Sequence, residues 1–349
     1  MKHNILNTKL TIYNCNYSNN LNEVIKYFNE FTINEERKGY LNNDIRKEST
    51  FMLKSSKEKS IYDIKAFRII KDTTDCINSL ILLKDRRIAS ASVDKSLRIY
   101  NPYKYYHCDK EVQRHTYNIL SICELEDGTI ASCSCDKSIM IGDYLILNAH
   151  DNKIQKIITL PNNRIASCSR DNKIKIWKAT PPYNSTPIKV LEGHTNCIMS
   201  ILYVKEKDLL VSALSDKTPR LWSISTYQCI SIITDISICW INALYQIDSE
   251  RVIVGANDGL FIVNIEKKFI ENKVFIEGAG CFSSFLKLRD NKTVICGCNK
   301  GKLVYYNTEN RATITKNTKN EQLILDILGI NDETFITCYW DGTITVWNY

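Results

Sequence analysis

No run of 18 apolar residues occurs anywhere in the 349 residues, so the sequence holds no candidate membrane-spanning helix. The amino terminus, MKHNILNTKL, lacks the apolar core of a secretory signal. Fourteen cysteines are present, yet no two form a C-x-x-C pair. The tightest spacings are C-x-C, at Cys133/Cys135 and Cys296/Cys298, with no histidine beside them, which argues against a metal site. In a chain without a secretory signal, such cysteines are expected to be reduced thiols that act as small apolar side chains. That chemistry points to the cytoplasm, with the nucleus as the alternative. The net charge of +7 is diffuse, about +3 over residues 1–60 and +4 over the remainder. No basic run or basic–aromatic interleaving stands out, so nucleic acid is not an expected partner. Nothing in the sequence calls for a cofactor.

What the sequence does contain is one short phrase written seven times. The copies are IASASVDKSLRIY (88–100), IASCSCDKSIMIG (130–142), IASCSRDNKIKIW (165–177), LVSALSDKTPRLW (210–222), VIVGANDGLFIVN (252–264), VICGCNKGKLVYY (294–306) and FITCYWDGTITVW (335–347). The turn position falls at Asp94, Asp136, Asp171, Asp216, Asp258, Lys300 and Asp341, at intervals of 42, 35, 45, 42, 42 and 41. In each copy small or apolar residues two apart flank a polar turn, as with Ile165, Ser167 and Ser169 before Asp171 and Ile174 and Ile176 after it. Alternate strand residues share a face, so each copy reads as a hairpin. Further apolar stretches precede it, such as 119–122, 154–158 and 198–201, and room remains for one outer strand. Four short strands per unit cannot bury both faces alone, and a period near 40 predicts radial stacking. The expected fold is therefore all-β, a seven-bladed β-propeller.

On these residues the chain resembles the WD40-repeat family. Gly193-His194 matches the family's Gly-His pair, while His115 and His150 keep the histidine behind Arg114 and Ala149. The histidine-to-aspartate intervals are 21, 21 and 22 residues, and Trp177, Trp222 and Trp347 hold the tryptophan position. The aspartate that follows tryptophan in the family is replaced by Lys178, Ser223 and Asn348. The resemblance implies a buried hydrogen-bond network of histidine, strand serine, turn aspartate and tryptophan. In blade 3 this is His150, Ser167 or Ser169, Asp171 and Trp177, and in blade 4 His194, Ser212, Asp216 and Trp222. A set that recurs blade by blade is scaffolding, not a Ser-His-Asp catalytic group. Blades 5 to 7 lack the histidine and are expected to rely more on packing.

The chain reaches Tyr349 without an outer strand for blade 7, and residues 61–70 are placed to supply it and close the ring. Residues 61–349 are read as the propeller. Residues 1–60 are read as a separate extension with eleven asparagines, no proline and one glycine, Gly39. Within it Leu21, Val24, Ile25 and Phe28 keep helical spacing behind an Asn20/Glu23 capping pair, predicting a helix over 20–31 and a polar linker beyond.

In a four-stranded meander the loop leading into the innermost strand and the middle hairpin turn lie at the same end of the disc. The pre-aspartate residues there are Val93, Cys135, Arg170, Ser215, Asn257, Asn299 and Trp340. Those leading into the inner strands include Asp75, Tyr117, Asn118, Asn152, Lys153, Asn196 and Trp240. The resemblance implies peptide docking on this face. Arg170, Trp340, Trp240, Tyr117, Lys153 and Asn257 are the candidate contacts, since tryptophan and arginine dominate interface energetics. The expected function is a non-catalytic scaffold or adaptor for other proteins, with the 20–31 helix as a second contact. A narrower alternative is a substrate adaptor of a ubiquitin ligase, although no F-box, RING or B-box pattern is present. From other classes, a phosphoinositide-binding propeller would need the FRRG motif, whereas Arg86-Arg87 sits in Asp-Arg-Arg-Ile. An enzyme would need a nucleophile, base and oxyanion donors outside the repeated set, and none is found.

Overall fold

The computed structural model describes residues 65–73, 75–214, 218–233, 241–257 and 259–348. They form seven antiparallel four-stranded sheets, each running inner, second, third and outer strand. The inner strands are Ile77–Leu82, Ile119–Glu124, Ile154–Leu160, Ile198–Val204, Ile241–Gln246, Phe282–Lys287 and Ile324–Asn331. Each lies against the inner strands of both neighbouring sheets, and the seventh against the first, so the sheets close into a ring of seven blades. Helical structure among the described residues is confined to three single 3-10 turns, and no helix there is long and apolar enough to cross a membrane. The expected helix over 20–31 and the whole 1–60 extension lie outside the described residues.

Burial follows strand order. Second strands such as Ile88–Ser92 and Thr293–Cys298 are buried at every residue because a neighbouring blade covers each face. Outer strands such as Phe269–Val274 are exposed or half-buried. The expected closing strand is present over Lys65–Ile70. It pairs antiparallel with Ile344–Asn348, from Lys65 opposite Asn348 to Ile70 opposite Ile344. Blade 7 is thus built from both ends of the propeller sequence, and no blade is left with an unpaired third strand.

Two repeated devices let the blades approach. Every inner strand carries a register shift after its first residue, at Ile77/Ser79, Ile119/Ser121, Ile154/Lys156, Ile198/Ser200, Ile241/Ala243, Phe282/Ser284 and Ile324/Asp326. A bulge raises local twist and re-aims the extra side chain. Two of these side chains reach the next blade: the Asn78 amide donates to the Ile119 carbonyl (2.8 Å) and the Ser283 hydroxyl to that of Ile324. Opposite each shift the second strand holds a small residue: Ala91, Cys133, Cys168, Ala213, Gly255, Gly297 or Cys338. The expectation that strand cysteines serve as small apolar groups holds here, where Cys133, Cys168 and Cys338 are buried and free. Two also bridge blades, Cys338 Sγ donating to the Ile77 carbonyl at 3.2 Å and Cys133 Sγ to that of Ile154 at 3.7 Å.

The tightest of these positions is Gly255. A Cβ added there would stand 2.6 Å from Phe285 Cζ and 3.0 Å from the Phe282 carbonyl oxygen, which is backbone and cannot move aside. Gly255→Ala is expected to destabilise the propeller by about 1–3 kcal/mol through overpacking of blades 5 and 6. Urea unfolding of the variant against the natural chain checks this.

Candidate functional site

The turn aspartates act first on their own hairpins. One carboxylate oxygen accepts the backbone N–H two residues on: Ser96 to Asp94 (3.0 Å), Ser138 to Asp136 (2.9 Å), Lys173 to Asp171 (3.0 Å) and Thr343 to Asp341 (3.1 Å). This Asx geometry is why an acidic residue sits at the turn. In blades 2 and 3 the second oxygen meets the histidine and the N–H of the residue after it. For Asp171 these are His150 Nδ1 at 2.7 Å and Asp151 N at 3.1 Å; for Asp136, His115 Nδ1 at 3.1 Å and Thr116 N at 2.8 Å.

Blade 3 carries the full chain of bonds. Trp177 Nε1 donates to Ser167 Oγ (2.8 Å), Ser167 Oγ contacts His150 Nε2 (2.8 Å), and His150 Nδ1 donates to Asp171. The donors run one way only if the histidine is neutral with its proton on Nδ1. The network serine is therefore Ser167. Ser169 instead donates to the Asn152 carbonyl (3.1 Å) and accepts the Asp171 N–H, which pins the turn. Blade 4 repeats the inner part, Trp222 Nε1 to Ser212 Oγ at 2.9 Å and Ser212 Oγ to His194 Nε2 at 2.7 Å, while Asp216 lies outside the described residues. Ser167, His150 and Trp177 are each no more than 1% exposed, so this Ser-His-Asp order faces no solvent from which a substrate could arrive.

Of blades 5 to 7, expected to rely more on packing, blade 7 retains a polar contact at the histidine position. In blade 7 Asn320 stands at the histidine position, 21 residues before Asp341, and its amide reaches both carboxylate oxygens at 3.2–3.3 Å. Trp347 Nε1 there donates to Thr337 Oγ1 (2.8 Å). Blade 1 uses a buried cation instead, Arg98 binding Asp94 at 2.6 Å and Glu111 at 3.3 Å.

At the same end of the disc lie the candidate contact residues, held by a repeated tether. In blades 1, 2, 3 and 7 the N–H of the pre-aspartate residue donates to the carbonyl of the residue before the inner strand: Val93 to Cys76 (2.9 Å), Cys135 to Asn118 (2.9 Å), Arg170 to Lys153 (3.0 Å) and Trp340 to Leu323 (3.0 Å), while Asn299 of blade 6 donates to Ala279 (3.2 Å). This draws Arg170 and Lys153 together, both exposed. Trp340 is 57% exposed and Tyr117 62%. Lys95 of the blade 1 turn lies 5.9 Å from the Tyr117 ring centroid, and Cys76 Sγ donates to the Trp340 carbonyl at 2.8 Å, so neighbouring blades touch along this end. Asn257 is exposed and accepts from the Asn242 amide at 2.6 Å. Trp240 and Ser215 lie outside the described residues. Lys95 and Lys137, which the sequence did not single out, and Lys300 at the turn position of blade 6 have left-handed backbone (φ 72°, 70° and 54°) and exposed side chains. The signal for the first two was a lysine directly after the turn aspartate. On the opposite end, Arg87 is engaged by Asp85 at 2.7 Å, which leaves the Arg86-Arg87 pair poorly suited to an anionic headgroup. No group of three or more metal-ligating side chains occurs among the described residues.

The seven closed blades define a propeller of repeated hairpins. The family model described as "WD domain, G-beta repeat" matches residues 144–178, 185–223 and 318–348, the stretches that end on Trp177, Trp222 and Trp347. The chain is similar to the nuclear distribution protein PAC1 of Arthroderma benhamiae, 28% identical over 160 residues, 40% of this chain and 33% of the relative. It is similar to the nuclear distribution protein nudF of Aspergillus flavus, 32% identical over 112 residues, 30% of this chain and 24% of the relative. Pre-mRNA-processing factor 17 of Homo sapiens aligns over 293 residues at 22% identity, 77% of this chain and 49% of the relative. The matches span between about a quarter and a half of these relatives' lengths. Together with the blade architecture they identify the chain as a member of the WD40-repeat β-propeller family.

The network sets an acid limit on stability. Burial disfavours the imidazolium of His150 and outweighs the Asp171 charge, so its pKa lies below the usual 6.5. Burial alone would raise the Asp171 carboxyl, but the bond and charge from His150, with the Asp151 and Lys173 N–H groups, bring it down to about 2. Both groups bind fewer protons folded than unfolded, so each contributes stability above its unfolded pKa that is lost as pH falls. The melting temperature is expected to drop first below pH 6.5, as His150 is driven to protonate, and again between pH 3.8 and about 2. His150→Ala, which leaves Ser167 and Asp171 short of a partner, is expected to cost about 1–3 kcal/mol and to remove the first step. Calorimetric scans across pH on both chains check this.

Proposed function

We propose that the chain is a non-catalytic scaffold that holds a partner protein or peptide across the end of the disc carrying Trp340, Tyr117, Lys153, Arg170 and Asn257. The observation that carries this reading is Trp340. A tryptophan 57% exposed on a turn whose backbone is tied to Leu323 exposes a large apolar surface where its counterparts in other blades are polar or small. Buried at an interface, such a side chain supplies most of the affinity, while exposed arginine pairing adds only about 0–1 kcal/mol. By its place in the repeat, Trp240 would add a second aromatic at this end.

The burial of the Ser-His-Asp-Trp set supports a structural role over a catalytic one. The relatives' names speak of nuclear distribution and of pre-mRNA processing, which are said of those proteins. Nothing in them favours the ubiquitin-ligase reading. Free thiols along buried strands support a reducing compartment, cytoplasm or nucleus. Residues 1–60 are proposed as a distinct extension with a contact helix over 20–31.

Affinity purification with quantitative mass spectrometry tests the face assignment. Bait chains carrying Trp340→Ala or Arg170→Glu are compared with the natural chain and with Tyr103→Ala, an exposed aromatic in the 3-10 turn Pro102–Lys104 between a third and an outer strand. Partners are expected to be depleted at least about tenfold by Trp340→Ala and retained by Tyr103→Ala, at unchanged melting temperature. Retention by Trp340→Ala and Arg170→Glu with loss by Tyr103→Ala would move the site to the other end.

A further inference from the structure

Six of the seven interfaces between blades are packed around a buried aromatic. Tyr100 fills the one between blades 7 and 1, Trp177 that between 2 and 3, and Trp222 that between 3 and 4. Phe261, Tyr306 and Trp347 fill the next three. Among the described residues, the interface between blades 1 and 2 has none. Its core is Leu83, Ala89, Ala91, Leu97, Ile99, Ile119 and Ile122. The reason is Gly142, which stands in blade 2 where Trp177 stands in blade 3: its N–H donates to the Ile130 carbonyl at 3.0 Å, as Trp177 is paired with Ile165. Blade 2 is also cut short there. Its third strand, Ile139–Ile141, turns through Gly142-Asp143 straight into an outer strand of three residues, Tyr144–Ile146.

The omission leaves a cavity of about 720 Å³, open to solvent. Leu97, Ile99 and Val112 of blade 1 form one wall and Ile130 and Met140 of blade 2 the other. Its rim is mainly acidic, with Asp85, Glu124, Glu126, Asp127 and Asp143 against Lys84, Arg87 and Lys110. Part of this charge is paired internally. Lys84 Nζ donates to the carbonyls of Leu125 (2.9 Å) and Glu126 (2.5 Å), and Arg87 is held by Asp85. Asp143 is met by Arg114 at 2.9 Å. Glu126 and Asp127 remain exposed at the mouth.

We propose that this groove is a second docking site, which takes a partner segment inserting a tryptophan or similarly large aromatic side chain between blades 1 and 2, with lysine or arginine on either side of it facing Glu126 and Asp127. The aromatic is what the fold itself places at the other six interfaces, and the cavity of about 720 Å³ lined by Leu97, Ile99, Val112, Ile130 and Met140 offers it an apolar place. The flanking cations follow from the charge at the mouth. The site lies among the loops between inner and second strands, at the end of the disc opposite Trp340, so both sites can be occupied together.

The probe is a fluorescein-labelled peptide, Lys-Arg-Trp-Lys-Arg, titrated with the full chain by fluorescence anisotropy. Saturable binding is expected, weakened at least about tenfold when the peptide's tryptophan is alanine. Val112→Trp, which fills the groove from the half-exposed outer strand of blade 1, is expected to abolish it. Should that variant melt early, Glu126→Lys with Asp127→Asn tests the same site at the surface, the asparagine keeping the acceptor that Thr129 N uses at 2.9 Å. This pair is expected to weaken binding about tenfold and leave Trp340-dependent partners bound. No saturable binding in the millimolar range, or binding that survives both variants, overturns the proposal. Sedimentation showing self-association of the natural chain that Val112→Trp removes would make the occupant a second copy and would equally overturn it.

Discussion

The second strand of each sheet is buried on both faces, and only the neighbouring blades can cover those faces. A single four-stranded unit would leave strands such as Thr293–Cys298, buried at all six residues, half in water. Stability is therefore a property of interfaces between units, and every unit needs two neighbours. A ring meets that condition for all seven, and an open array of the same units leaves two end faces bare. The pairing of Lys65–Ile70 with Ile344–Asn348 is the topological consequence: one blade is shared between the beginning and end of the propeller sequence, so that backbone hydrogen bonds, in addition to side-chain packing, hold the ring shut.

The polar network belongs to the same logic. A hairpin turn at the end of a buried sheet must satisfy its backbone groups locally, and an aspartate does so with one carboxylate oxygen. The other oxygen is then available to bind the preceding loop. Histidine supplies that contact in blades 2 and 3 and asparagine in blade 7, whereas in blade 1 the aspartate is bound by Arg98 of the third strand of its own hairpin. The recurring element is the carboxylate, and its partner differs from blade to blade; in blade 1 the outer strand adds Glu111 as a second partner for Arg98.

Blade number, strand order and the closing strand were legible because they follow from period and alternation, which are properties of many residues at once. The network serine was not, since Ser167 and Ser169 lie on one face of their strand and only their bonds, from Ser167 to Trp177 and His150, distinguish them. Asn320 could have been found: it keeps the 21-residue interval to its aspartate that His115 and His150 keep. Gly142 was visible as the last letter of its repeat, yet its effect is felt on the other side of an interface, against Leu97 and Ile99 of the preceding blade, where a reading of one repeat at a time does not reach. The small residues facing each bulge were likewise visible but unexplained until the neighbouring blade was in place.

The two ends of the disc are consequently different in kind. One carries tethered turns with an exposed tryptophan, tyrosine and cations, and the other a gap between two blades with an acidic mouth. Both depend on the ring being closed, because a sprung ring would change the spacing of every turn and widen every interface. Hydrogen–deuterium exchange of the full chain tests closure most directly. If the ring is closed as described, the bonded amides of Lys65–Ile70 and Ile344–Asn348 will exchange as slowly as those of the matching third and outer strands in blade 3, Ile174–Lys178 and Lys189–Leu191. Exchange of residues 65–70 at the rate of unstructured peptide, with blade 3 still protected, would contradict it.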